Sequence, residues 1–222
     1  MDSSTATRSI VDALTKAIVE HRLHPGTKLA EQKLADHFGV SRTLIRQALF
    51  QLVQKRLIRM EPARGAFVAT PSSDEARQVF AVRRMVEMEM TRSFVRNVTP
   101  AQIKALKDHV AEEKAAVQRG DVAGRTDLLG DFHVRMAELM GNDVLAQILG
   151  ELISRCALIT LMYQSTNAAE HSAEEHSEIL QAIIAKDEKL AVKLMDEHLR
   201  NVEEGLALDR KVPSNDIAMA LA

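Results

Sequence analysis

The stretch Glu31–Ile58, EQKLADHFGVSRTLIRQALFQLVQKRLI, decides the fold. Leu34, Ala35 and Phe38 fall on one face of a short helix over 31–38, and Gly39 follows where a chain leaves a helix through the left-handed region. Ser41 then stands at an N-cap ahead of a second helical period, Leu44, Ile45, Ala48, Leu49 and Leu52, over 42–55. Working outward, Ile10, Leu14, Ala17 and Ile18 mark a helix over 9–22, stopped by His24-Pro25-Gly26. On the other side, the apolar runs Leu57–Met60 and Ala66–Ala69 flank Glu61-Pro62-Ala63-Arg64-Gly65, which reads as a β-hairpin with a basic tip. Three helices followed by a hairpin is the plan of a winged helix-turn-helix, here predicted over 1–71.

The chemistry of this unit points to DNA. The first turns of the 42–55 helix present Arg42, Thr43, Arg46 and Gln47, while its other face is apolar. Arginine matches guanine bidentately and glutamine can do the same for adenine. Ser41 and the free backbone N–H groups beside it can hold a phosphate. The tip pair Arg64-Gly65 suits a minor groove, since glycine lets the backbone approach closely. Charge agrees: residues 1–70 hold 11 Lys/Arg against 6 Asp/Glu, and residues 71–222 hold 18 against 25, inside a chain of net charge −2. A basic first third meets a polyanion more readily than an acidic remainder does.

Beyond Thr70-Pro71-Ser72-Ser73 the sequence reads as all helix. Segments are predicted at 74–96, from Thr99-Pro100 to about 118, from Gly120-Asp121 to near Met140, and from Gly141-Asn142 to about Tyr163. A fifth is capped by Ser172 with Glu175 three residues on, and a sixth by Asp187 with an end near 208. Residues 72–79 are the linker and the start of the first bundle helix, 80–208 the bundle, and 209–222 a tail. Composition supports this, with 3% aromatic residues, 46% apolar residues and only 9 Gly and 5 Pro. The single cysteine, Cys156, excludes an internal disulfide framework and fits a reducing cytoplasm. No apolar run is read as approaching the ~20 residues of a membrane span, and the opening MDSSTATRSIVDAL lacks the pattern of a secretory signal.

The motifs PGTKLAE, LADHFGVSRT, IRQAL and RGAFV, within residues 10–70, resemble the winged helix of GntR-family bacterial repressors. The stretches VFAVRRMVEME, GDFHVRMAELMGND and EEHSEILQAIIAKDEKLAVKLMDEHL resemble the FCD ligand-binding domain of the FadR-like branch. The resemblance implies a mainly α protein, a winged helix with a small β wing followed by an all-α bundle. It implies DNA contacts at Ser41, Arg42, Thr43, Arg46, Arg64 and Gly65. Gln32 stands where a basic residue often adds a contact. It also implies a homodimer on a palindromic double-stranded operator, a small organic acid as effector, a repressor rather than an enzyme, and no membrane partner.

Three histidines lie on the core-facing stripes of different helices. His133 accompanies Leu129, Phe132, Met136 and Met140; His176 accompanies Ile179, Leu180 and Ile183; His198 accompanies Ala191, Leu194, Met195 and Val202. Each buried ring needs a polar partner, and a shared metal ion satisfies three lone pairs at once; neutral imidazole suits Zn, Ni or similar ions. The metal-binding members that the chain resembles use an Asp-x-x-x-His pair and two later histidines. His133, His176 and His198 match the histidines, but the Asp position is Leu129, and Asp131 is rotated about 200° from His133 on an ideal helix. The site is either three histidines completed by water or effector, or a metal-free polar pocket. Arg83 falls where the resemblance places an arginine, Arg155 lies amid Leu152, Cys156 and Ile159 on the fourth bundle helix, and Tyr163, the single tyrosine, is either a wall of the effector pocket or plain core. An arginine there needs an anion: a ligand carboxylate, or an internal partner such as Glu87 for Arg83. Two other readings stay open, a metal-dependent enzyme built on the three histidines and an architectural DNA binder without effector.

Overall fold

The computed structural model describes residues 3–20, 22–119, 122–163 and 168–208, and the side chains of these except at 3–4, 122–130 and 168–170. The first unit consists of α1 (Ser3–Val19), β1 (Lys28–Leu29), α2 (Glu31–Phe38), α3 (Arg42–Gln54), β2 (Ile58–Glu61) and β3 (Gly65–Val68). The turn between α2 and α3 is built as its sequence dictates. Gly39 sits at φ 63° and its N–H reaches back to the Ala35 carbonyl, and Ser41 Oγ accepts the Leu44 N–H at 3.4 Å. The three helices close on Ile10, Leu14, Ile18, Ile45, Leu49 and Leu52, all buried.

Two features of this unit differ from the sequence reading. Helix α1 covers 3–19 rather than 9–22; Ser3–Arg8 carries no apolar rhythm, yet nothing in it breaks a helix. The wing has three strands, not two. Lys28 and Leu29 pair antiparallel with Phe67 and Ala66, giving the order β1-β3-β2, and a two-residue strand is too short to show a period.

The second unit comprises α4 (Ser73–Asn97), α5 (Pro100–Gln118), α6 (Val122–Leu139), α7 (Asp143–Tyr163), α8 (Ala168–Ile184) and α9 (Glu188–Glu204). Thr99 and Gln102 form a capping box with Pro100 behind the cap. Asn142 caps α7 through the Leu145 N–H at 3.1 Å, and Asp187 caps α9 through the Leu190 N–H at 3.0 Å. Ser72, not Ser73, caps α4. Ser172 is no cap at all: α8 already starts at Ala168. Helix α9 ends at Glu204 rather than near 208, and the predicted tail 209–222 lies outside the described residues. Phe80, Phe94, Leu106, Phe132, Met136, Leu149 and Ile183 fill the core of the bundle.

Helix α7 joins the two units. Leu149, Leu152, Cys156 and Ile159 belong to the bundle core, whereas Leu158, fully buried, completes the core of the first unit with Ile10, Leu14 and Ile45. The helix also corrects the expectation that no apolar stretch is long enough to cross a bilayer, because its 21 residues meet that test by length and composition. Leu149, Leu152, Ile153, Cys156, Leu158 and Ile159 of this helix are buried inside the fold, Val144 and Ile148 are exposed, and Glu151 and Arg155 interrupt it. Arg155 reaches Glu75 at the start of α4 at 2.6 Å, and Tyr163 donates its hydroxyl to the Pro71 carbonyl in the linker at 3.0 Å.

The end of α8 offers a test of the local rules. Lys186 N–H bonds Ile183 O and Asp187 N–H bonds Ala182 O, a two-bond helix stop that places Lys186 at φ 56°. That left-handed position favours glycine. Lys186→Gly should stabilise the fold by about 1 kcal/mol, read as a higher thermal midpoint.

Candidate functional site

The DNA-reading face is assembled by α2, α3 and the wing. Ser41, Arg42, Thr43, Arg46 and Gln47 are all exposed at the amino end of α3, because Ile45, Ala48, Leu49 and Leu52 turn the opposite face inward. Glu31, the first residue of α2, lies across this face. It accepts from Arg42 Nη2 at 3.0 Å and takes Arg46 Nε with both oxygens at 3.0 and 2.9 Å. Those hydrogen bonds hold the Glu31 carboxyl below the usual carboxylate range. Gln32 points along α2 to Asp36 at 2.8 Å. The Thr7 hydroxyl approaches Gln47 Oε1 at 3.5 Å, so α1 touches the reading helix. On the wing, Arg64 pairs with Glu61 at 2.5 Å and lies 5.2 Å from the Phe67 ring centre, and Gly65 adopts φ 95°.

The second constellation is buried in the bundle. His133, His176 and His198 come together from α6, α8 and α9, and one ring nitrogen of each lies within 4.8 Å of the other two. Each ring has a carboxylate behind it. His176 Nδ1 bonds Glu113 at 3.0 Å, His198 Nδ1 bonds Glu175 at 2.7 Å, and His133 Nδ1 stands 2.6 Å from Glu87 Oε2. That last approach is an ion-pair distance whose alignment falls short of a hydrogen bond. Phe132 stacks flat on His176 with centroids 4.0 Å apart, and His109 shares Glu113 at 3.2 Å.

Burial governs the protonation states here. It pushes the His133 imidazole down to about 3, against the pull of Glu87, and the His198 imidazole down to about 4, against Glu175. Burial alone would raise Glu87, but Arg83 and His133 beside it bring the carboxyl down to about 2. Burial likewise opposes ionisation of Glu113, and the His176 and His109 contacts reverse it. An ionised carboxylate accepts only, so His176 and His198 donate through Nδ1 and present Nε2 as bare lone pairs when neutral. Those two Nε2 atoms face each other at 3.3 Å. Two lone pairs at that distance repel unless a proton or a cation lies between them.

Arg83 is buried beside this group, donating Nε to Glu87 Oε1 at 2.7 Å and approaching Cys156 Sγ at 3.5 Å. Its Nη2 has no hydrogen-bond partner, nor does the buried Thr91 Oγ1, two turns from Arg83 on the same helix. The internal pair with Glu87 is therefore formed, and one donor edge is left over. The other two residues expected to bind effector behave differently. Arg155 directs Nη2 to Glu75 while its buried Nε has no hydrogen-bond partner, and Tyr163 directs its hydroxyl to the linker; neither bonds a histidine. The side chain of Leu129 lies outside the described residues. Sequence reasoning missed Glu113 and Glu175 as partners of the histidines. Glu113 could have been found, since it sits on the apolar stripe of α5 with Leu106 and Val110.

Comparison with known proteins finds a family match for each of the two units. Residues 6–68 match the family "Bacterial regulatory proteins, gntR family" and residues 78–201 match the FCD domain. The chain is 23% identical over 209 residues to the HTH-type transcriptional repressor RspR of Escherichia coli, covering 94% of this chain and 92% of that protein. It is 26% identical over 208 residues to the HTH-type transcriptional regulator LutR of Bacillus subtilis, covering 83% and 94%. Escherichia coli McbR/YncC shares the fold at a TM-score of 0.78, with 22% identity and coverage of 88% and 93%. The chain thus belongs to the GntR family, in the branch that carries an FCD domain. It is a DNA-binding transcriptional regulator with an effector-binding domain, and not an enzyme.

The Arg83–Glu87 pair generates a test of its own. Removing one partner leaves a buried charge uncompensated, so Glu87→Gln should destabilise the protein by about 3–5 kcal/mol. The double variant Arg83→Met/Glu87→Gln should recover most of that loss. Urea denaturation of the two variants beside the parent checks both statements.

Proposed function

We propose that the protein is a metabolite-responsive repressor that binds a palindromic operator as a homodimer and senses a small carboxylate in its helical domain. The observation that carries the sensing half is the buried trio of histidines, one ring nitrogen of each within 4.8 Å of the other two, beside the unsatisfied Arg83 Nη2. His133, His176 and His198 would hold a divalent transition ion of the Zn or Ni type, and Glu87, Glu113 and Glu175 would orient the rings from behind. Such an ion supplies a Lewis-acidic position for an anionic ligand. With Leu129 in place of the family's aspartate, that position is left to water or to the effector. Arg83 is the group that takes the far end of a carboxylate. Arg155 instead ties α7 to the start of α4, and Tyr163 ties it to the linker.

On the DNA side, Arg42 and Arg46 read guanines, with Thr43 and Gln47 beside them, while Ser41 and the amino end of α3 hold a phosphate. Gln32 lies at the margin of this face, and Arg64 with Gly65 enters the minor groove. One winged helix spans too few base pairs for useful selectivity, so two chains share a symmetric site. The acidic bundle carries the dimer contact and leaves the basic face open, and the protein works in the cytoplasm with its DNA.

Two experiments test this reading. Arg42→Ala and Arg46→Ala should each weaken operator binding by about 1–3 kcal/mol while the dimer persists by light scattering; undiminished affinity at fixed salt would remove α3 as the reading helix. Purified protein should carry about one transition ion per chain, and chelation should lower its thermal midpoint. His176→Ala should abolish both metal content and the thermal response to organic acids. A midpoint that ignores chelator and zinc but responds to an acid would leave a metal-free polar pocket, and one that ignores all three would leave an architectural DNA binder.

A further inference from the structure

We propose that Glu31 sets the base selectivity of the DNA-reading face by holding Arg42 and Arg46 as one fixed pair. The inference rests on reading that face as the DNA contact. Its starting point is the convergence of two exposed arginines, one turn apart on α3, on a single carboxylate from the first turn of α2. Exposed ion pairs contribute little to stability, so holding the fold together does not account for this arrangement. Its consequence lies in direction. Glu31 engages Arg46 through Nε, which leaves the two terminal nitrogens of that guanidinium for a base edge. It engages Arg42 through Nη2 alone. Both side chains give up rotamer freedom before DNA arrives, so less is lost when a base is bound.

The second consequence is electrostatic. A carboxylate set among the reading residues repels the phosphate backbone and partly offsets two cations that would otherwise bind any duplex. Sequence-independent affinity falls, while the oriented guanidinium edges keep their match to guanine. Selectivity is a difference between two affinities, and Glu31 acts on both in the same sense. Glu61 repeats the device on the wing, where it pairs with Arg59 at 2.9 Å and with Arg64 at 2.5 Å.

The test uses the full chain and a duplex enriched by the parent protein from a random-sequence pool, beside a scrambled duplex of equal composition. The ratio of the two affinities is measured for the parent, for Glu31→Gln, and for Glu31→Gln in an Arg42→Ala/Arg46→Ala background. Glu31→Gln should bind the scrambled duplex more tightly and lose about tenfold in the ratio, and its affinity should fall more steeply with salt by about one phosphate contact. In the arginine-free background the same substitution should leave the ratio unchanged. A merely structural role would lower both affinities together and leave the ratio alone. An unchanged ratio in Glu31→Gln overturns the proposal while leaving the DNA face intact, as does a change that survives without the arginines. A parent protein that enriches no duplex removes the reading of the face itself, and the proposal with it.

Discussion

Three buried imidazoles converge in the bundle with a carboxylate behind each, Glu87 and Glu113 buried and Glu175 half-buried, and what surrounds them follows from keeping those charges compensated. A buried carboxylate is tolerated only with donors on its oxygens. Glu87 meets that condition at one oxygen through Arg83 on its own helix, while His133 stands 2.6 Å from the other across the core. Glu113 meets it through His176 and His109. Glu175 meets it through His198, with Asn201 one turn further along α9 at 2.6 Å. Each anion fixes a ring, and the rings then converge. Helices α4, α5, α6, α8 and α9 all contribute to this network, so their relative rotation is set by polar contacts as well as by the apolar packing of Phe80, Phe132 and Met136.

The arrangement explains why Arg83 is both satisfied and unfinished. Its Nε meets Glu87, while Nη2 is buried without an acceptor. Leaving a guanidinium donor unpaired in a core destabilises the fold. That open donor is what the proposed carboxylate effector would complete.

Local rules made most of the fold legible. Gly39, Ser41, the Thr99–Gln102 box, Asn142 and Asp187 announce helix ends through their own chemistry, and the structure uses each of them so. The misses share a physical cause. The strand at Lys28–Leu29 exists only because β3 lies beside it, and no two-residue segment can advertise that. Glu175 suited a capping box with Ser172, yet α8 begins earlier and the carboxylate goes to α9 instead. The histidines were readable because each stands on an apolar stripe. Their partners come from other helices, so only tertiary packing pairs them. Arg155 shows the same limit, since its partner Glu75 lies 80 residues away.

Leu158 has a bearing on how such regulators are recombined. It belongs to a bundle helix, yet it lies in the core of the DNA-binding unit, two residues from the cysteine that touches Arg83. A chimera cut at the linker near Pro71 would join the α1 of one parent to the α7 of another and mismatch that core. The unit of exchange between relatives is therefore not the sensor domain as sequence alone would delimit it. It is the sensor together with the face of α1 that receives Leu158, and a transplanted sensor that ignores this would bring a packing defect into the DNA-binding head.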